Sequence, residues 1–387
     1  MDKKLQLSGK FKIAMFILIA IGIISVIAGF MSGSTERTWA NLLLNNYYFL
    51  SVAIGGLFWM AMQAITQSGW SAGLLRIPQA MSNFLVISFL LGLVMFLGVH
   101  HLYHWSHAEA VAHDALLQHK SPYLNVPFLA IRYVIFFALW IWITQRIKKL
   151  SLQEDIDGGL TYFNKVEFLS KVFIFVFAFT FSMYTIDWLM SLDAHWFSTV
   201  YPAKMFISAF LHGSAIITAI VIILWKQGYL PFVNKSHFHD LSKYIFALSI
   251  IWAYLWLSQY LLIWYANIPE ETVYYIPRSL EYYKTFFYAE LILNWFFPFL
   301  FLMWNRIAKN PNALLFTVIV LSIGQWIELY MSIFPDTVEH HTIGWLEVGT
   351  ALGFWGIFAL TVGWSLTKVN LIPKKHPYLQ ESIHHHA

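Results

Sequence analysis

Arg132, Asp187, His212, Glu290 and Glu328 stand inside stretches that are otherwise apolar, and Glu347 stands at the edge of another. A charge at membrane depth is costly, so a functional role is the first reading of such residues. Carboxylates withdrawn from water and an imidazole are also the groups that exchange protons near neutral pH. The set therefore reads as a polar cluster for proton transfer or for a quinone headgroup, with Arg132 as its counter-charge. Packing offers a second reading: Arg132 pairs with one carboxylate, and the others hydrogen-bond to neighbouring helices. Glu290 lies about six residues from one end of its stretch, or ~9 Å at 1.5 Å per residue. Glu328 has a similar depth, Asp187 is shallower and His212 is deepest.

A second group is the histidine-rich segment from His100, which holds His101, His104, His107, His113 and His119 with Glu109 and Asp114. His100, His104 and His107 are spaced for one face of a helix. That face could present imidazoles to a metal or a haem, with His212 as the facing ligand. No zinc-ligand spacing stands out, and no metal is assigned. An interfacial helix packed on a partner is the plainer reading.

Ten apolar stretches must position these residues, near 11–31, 47–67, 80–100, 126–146, 168–190, 203–225, 243–265, 284–304, 313–334 and 344–366. Each matches the ~20 residues a helix needs to cross a hydrocarbon core. None alternates as a barrel strand would. The expected fold is all-α and membrane-integral, with 1–387 as a single polytopic domain. Loops are short, and many Trp and Tyr sit at stretch ends, where the interface favours them.

Composition agrees: 59% of residues are hydrophobic and 11% charged, with a mean hydropathy of +0.60. The net charge of +4 follows topology and is no nucleic-acid signal. With the N-terminus inside, the outer cations are Arg37, Lys120, Arg132, Lys204, Arg278 and Lys284, leaving 18 of 24 inside. The positive-inside rule then gives N-in and C-in. Inner clusters include Lys3, Lys4, Lys10 and Lys12, then Arg146, Lys148 and Lys149, and Lys368, Lys374 and Lys375. The first stretch is too long for a signal-peptide core and reads as a retained span. With no cysteine, the chain has no disulfide, no thiolate-ligated iron–sulfur cluster and no c-type haem attachment. The end, Ile383 to Ala387, reads as a solvated tail.

Three stretches are more specific. One runs from Asp187-Trp188-Leu189-Met190-Ser191-Leu192-Asp193-Ala194-His195 through Trp196-Phe197-Ser198-Thr199. Another is Ala266-Asn267-Ile268-Pro269-Glu270-Glu271-Thr272, and the third is His104-Trp105 with Asp114, Lys120, Tyr123-Leu124-Asn125 and Arg132. Together they resemble the NrfD-like (polysulfide reductase membrane subunit) family, and within it the smaller such subunit of bacterial alternative complex III. The resemblance covers nearly the whole chain.

It implies two four-helix bundles with two peripheral helices, in the bacterial cytoplasmic (inner) membrane. It also implies a complex that oxidises menaquinol or another quinol. Iron–sulfur clusters and c-type haems would sit on partner subunits: an iron–sulfur protein and c-type cytochromes, beside a larger NrfD-like paralogue. Electrons would reach a cytochrome c, a similar carrier or a terminal oxidase. His195, Trp196 and Ser198 match the family's outer loop after the fifth span, as loop-structuring or quinone-site residues. Glu328 looks like the position where the larger paralogue has Glu followed by Arg; here Leu329 follows. Glu270 and Glu271 read as a solvated or subunit-contact face.

Three functions are open on this reading. One is a membrane subunit that supports quinol oxidation, with proton transfer through the polar cluster and no redox centre of its own. Another is a scaffold that holds extrinsic subunits or docks a terminal oxidase, its aromatic exterior facing lipid. The third is a stand-alone secondary transporter. The off-centre polar set, and the lack of paired Gly/Pro-broken spans, speak against the third.

Overall fold

The computed structural model describes residues 4–338 and 343–386. Lys3 and Ala387 lie outside the described residues.

All ten apolar stretches are helices: α1 (Gly9–Met31), α2 (Thr35–Ile65), α3 (Arg76–Leu102), α4 (Val126–Asp157), α5 (Leu160–Trp188), α6 (Val200–Lys226), α7 (Lys235–Ala266), α8 (Glu281–Leu302), α9 (Pro311–Thr337) and α10 (Trp345–Thr367). Several outrun their apolar stretch. α2 begins a dozen residues before 47, and α4 continues through Arg146, Lys148 and Lys149. Hydropathy marks only the part in hydrocarbon, whereas backbone hydrogen bonds carry a helix on into water.

Capping sets several of the starts. The Asn125 side chain accepts from Phe128 N ahead of α4, Asn234 accepts from Ser236 N and His237 N ahead of α7, and Asn310 accepts from Asn312 N and Ala313 N ahead of α9. Each satisfies amide donors that the first helical turn leaves open. α4 and α5 are joined by Gly158 and Gly159 at φ +74° and +81°, a conformation costly for any residue with a Cβ.

Helices α2 to α5 close one four-helix ring, and α6 to α9 close a second. The rings meet chiefly along α2 and α6, the two most buried helices. Lipid supplies no hydrophobic drive for helix pairing, so close packing by small residues has to do it. At the α2–α6 crossing, a Cβ on Gly213 would stand 2.4 Å from Gly56 N, and one on Gly55 would stand 1.8 Å from Ala209 O. α1 and α10 form the peripheral pair and cross where Gly22 meets Gly353.

The segments before α1 and after α10, as far as they are described, lie on one face, here the terminal face; the opposite face is the distal face. In the tail expected to be solvated from Ile383, His384 and His386 are exposed, but Ile383 and His385 are half-buried and belong to a docked strap. Ser382 Oγ donates to Trp70 O, and His385 Nε2 lies 2.6 Å from Asp240 Oδ2. His385 O accepts from Asn234 Nδ2 at 2.8 Å. Polar residues suggested solvent, but they meet the capped start of α7.

Candidate functional site: a buried ion pair in the second bundle

Residues four apart share a helix face, and on α6 that face carries Lys204, Ser208 and His212. Lys204 and Ser208 point into the second bundle. Glu328 of α9 receives the Lys204 ammonium on Oε1 at 3.1 Å. Ser208 Oγ lies 2.9 Å from each carboxylate oxygen, and Trp252 Nε1 of α7 donates to Oε2 at 2.9 Å. One turn along α7, Trp256 Nε1 donates to Glu290 Oε1 of α8 at 2.6 Å. Exposure is 1% for Glu328, 4% for Glu290 and 5% for Lys204, so these charges are shielded from water.

Beside Glu290, α8 widens into a π-helical turn at Ile292–Phe296, a form often found at functional sites. That turn carries the buried Asn294. Its Oδ1 accepts from Gln325 Nε2 of α9 at 3.1 Å, and its Nδ2 has no partner among the described residues.

The distal end of this bundle is closed by Arg278. Its guanidinium forms two bonds to Asp336, at 2.6 and 3.1 Å, donates to Met331 O and Tyr274 O, and lies 3.5 Å from the Tyr274 ring centroid. Tyr274 stacks on Trp196 at 4.0 Å between centroids. Desolvation opposes the Arg278 charge, but Asp336 and the surrounding acceptors outweigh it and hold the guanidinium above its ordinary pKa.

The residues expected to form one cluster fall into three places. Glu290 and Glu328 come together. Arg132 and Asp187 lie in the first bundle, joined by two bonds of 2.8 and 2.9 Å, and Arg132 also donates to Tyr123 O at 3.1 Å. Tyr123 and Phe128 cover the guanidinium. The counter-charge of the glutamate pair is thus Lys204, not Arg132. His212 is fully buried at the α2–α6 seam, against the Tyr48 ring and 3.4 Å from Ser51 Oγ. Its Nε2 has no partner among the described residues.

In the loop after α5, Trp196 is buried, as is its stacking partner Tyr274. His195 is exposed, and its Nε2 lies 2.6 Å from Asp114 Oδ2. Ser198 is half-buried, with its backbone N–H on Met190 Sδ. Glu347 pairs with Arg37 and caps the start of α10 through Gly344 N.

The histidine face expected over 100–107 does not form. The helix ends at Leu102, and Tyr103 is extended at φ −117° and ψ 112°. His107 Nε2 turns back to His100 O at 2.8 Å, and His100 Nδ1 lies 3.0 Å from Ser106 Oγ. His212 contacts none of these histidines. Among the described residues, no three His, Asp or Glu side chains converge on one point.

A cavity of about 840 Å³ forms a groove between α6, α9 and α10, with the segment leading into α1 at one end. Its walls are mainly apolar and include Tyr48, Ser322, Trp326 and Trp355.

Fold and site together define an all-α, multi-pass membrane architecture with a shielded ion pair and a second carboxylate in one of its two bundles. No protein-family model matches the chain, and no curated protein matches its sequence.

Proposed function

We propose that this chain is a membrane subunit of a respiratory quinol-oxidising complex in the bacterial cytoplasmic membrane, and that Lys204, Glu290 and Glu328 carry its proton exchange. The chain would face N-in and C-in, with iron–sulfur and c-haem centres on partner subunits. The observation that carries this reading is charge balance inside the second bundle. The Lys204 ammonium pairs with Glu328, and Glu290 has no cation within ion-pair distance among the described residues, so one negative charge remains unless a proton neutralises it. A shielded charge without a partner is expensive, which favours a proton held on Glu290. Gain or loss of that proton changes the charge of the bundle by one.

A quinone fits the groove between α6, α9 and α10. The apolar walls suit an isoprenoid tail, and Trp326, Trp355 and the Ser322 hydroxyl would flank the ring. A quinol bound there would supply two electrons and two protons. The sequence motifs resembling NrfD-like subunits support the same assignment.

The test is purification of the complex from its native membrane with Glu328→Gln and Glu290→Gln variants. The expected result is an assembled complex with c-haem absorption bands and lowered quinol turnover or proton release. Unchanged turnover in an assembled double variant would sink the proton role, and a colourless protein purifying alone would sink the respiratory one.

A scaffold role is the second reading. It is favoured by α5 and α8, each buried over only 22% of its apolar window. Their outward aromatics, including Phe175, Phe179 and Tyr288, are exposed. If this role holds, deleting the chain abolishes assembly while Glu328→Gln leaves turnover intact.

A further inference from the structure

Four cations line one pocket on the terminal face, between the start of α3 and the ends of α4 and α10: Arg76, Lys148, Lys149 and Lys368. The pocket holds about 450 Å³, and its lining contains no acidic residue.

Two of these cations are partly committed. Arg76 pairs with Asp155 and Lys148 donates to Asn83 Oδ1. Yet Arg76, only 1% exposed, keeps a buried Nε with no partner among the described residues. Lys149 and Lys368 are exposed and have no carboxylate partner among the described residues; the Lys368 ammonium lies over the Trp364 ring at 4.8 Å. A basic pocket of this kind calls for an anion.

What lies beside it says which anion. Asn83, Trp364 and Ser365 also line a second groove of about 660 Å³, which runs along α1, α3 and α10. There the walls are Leu7, Phe16, Val86, Ile87 and Leu360, with Lys12 as the one cation in the lining. Phe16 and Val86 are exposed on the membrane surface. A charged pocket at the water interface thus continues into an apolar groove at hydrocarbon depth.

We infer that this composite site binds an anionic phospholipid, with its phosphate among Lys148, Lys149 and Lys368 and an acyl chain along the groove. Basic pockets between helix ends are suited to anionic headgroups, and each lysine near the surface contributes about 1 kcal/mol, or roughly five-fold in affinity. A soluble anion has no use for the groove, and a neutral lipid has none for the lysines.

The experiment uses the full chain in a neutral detergent, following thermal unfolding by tryptophan fluorescence. Mixed micelles of phosphatidylglycerol, mixed micelles of phosphatidylcholine, and inorganic phosphate are titrated separately. Phosphatidylglycerol is expected to raise the midpoint, and the other two to leave it unchanged. Lys149→Gln with Lys368→Gln changes only exposed side chains, so the lipid-free midpoint should hold while the phosphatidylglycerol titration shifts about 25-fold weaker. Val86→Trp, which fills the groove and spares the lysines, should remove the effect. Equal stabilisation by phosphatidylcholine would overturn the inference. So would the same shift with inorganic phosphate, or an unchanged titration in the double lysine variant.

Discussion

Lys204 and Glu328 meet at 3.1 Å across the second bundle, each almost wholly withdrawn from water. Ser208 and Trp252 complete the carboxylate's shell. Removing one member of a buried pair strands the other charge, which costs about 3–5 kcal/mol, while replacing both is often near neutral. Lys204→Met should therefore lower the thermal midpoint sharply, and adding Glu328→Gln should recover most of the loss. Unfolding of the single and double variants in detergent checks this. A double variant no more stable than Lys204→Met would mean that the charge pairing is not what holds these residues.

Arg132 and Asp187 make the corresponding pair in the first bundle, but among the described residues no second carboxylate is paired with it. Both Asp187 oxygens are taken by the one guanidinium, and the aromatic cover of Tyr123 and Phe128 leaves little room for exchange. Asp187→Asn should thus cost stability, about 3–5 kcal/mol, rather than turnover per folded molecule. Folded yield and specific activity, measured together, separate the two. Full yield with lost activity would return Asp187 to the functional cluster.

The ten spans were legible because hydrophobic length is a local property of the chain. The ion pairs were not. Asp187, Glu290 and Glu328 all fall toward the same face, but depth is one coordinate, and the packing of α5 with α2 and α4 places Asp187 in the other bundle. Lys204 read only as an outer-side cation because a residue near a helix start resembles a topological charge. Its spacing of four from Ser208 and eight from His212 was the available signal. Trp252 and Trp256 were hidden by abundance, as two of 18 tryptophans. Four of the six cations assigned to the distal side, Arg37, Arg132, Lys204 and Arg278, are neutralised by Glu347, Asp187, Glu328 and Asp336. The unpaired positive charge is therefore even more one-sided than the sequence count implied.

The junction of the bundles rests on glycine at the α2–α6 crossing. A Cβ on Gly213 meets the backbone of Gly55 and Gly56, which cannot move aside as a flexible side chain would. Gly213→Leu should force the helices apart and lose the monodisperse folded species in size-exclusion chromatography. Gly33→Ala offers a control away from any packing surface, where the added methyl meets nothing and only the positive φ of +75° is strained. Equal yields for the two variants would remove the crossing from the list of folding determinants.

On the distal face, Asp114 ties the segment before α4 to the loop after α5. Its carboxylate meets His195 Nε2 and accepts from Leu116 N and Leu117 N. The His195 bond, followed by the backbone amides, holds its pKa below the ordinary 3.8. A depressed carboxylate stabilises its contacts above its free value, and the contribution fades as pH falls through the lowered one. Hydrogen exchange over 114–120 should accelerate only in that acid range, and Asp114→Asn should show fast exchange at every pH. Protection unchanged in Asp114→Asn would show that the clasp is held elsewhere.

His376, in the strap that follows α10, gives the opposite face its own pH dependence. The ring is 9% exposed and packs edge-on against Phe163. Burial, reinforced by the nearby Arg76 and only partly offset by Asp155, lowers its pKa from 6.5 to about 4. The docked ring is therefore neutral where a released one takes a proton. Between pH 6.5 and 4 the released state gains protons that the docked state does not, so docking weakens as pH falls across that window. The full shift corresponds to about 3 kcal/mol. His385 beside Asp240 anchors the far end of the strap, so undocking should begin at 376–378 and leave 385 held longer. Limited proteolysis at pH 7 and pH 4.5 would read this as faster cleavage near Lys374 and Lys375 in acid. His376→Gln should remove the dependence, because an amide does not titrate. Acid-sensitive cleavage that persists in His376→Gln would place the trigger in another group.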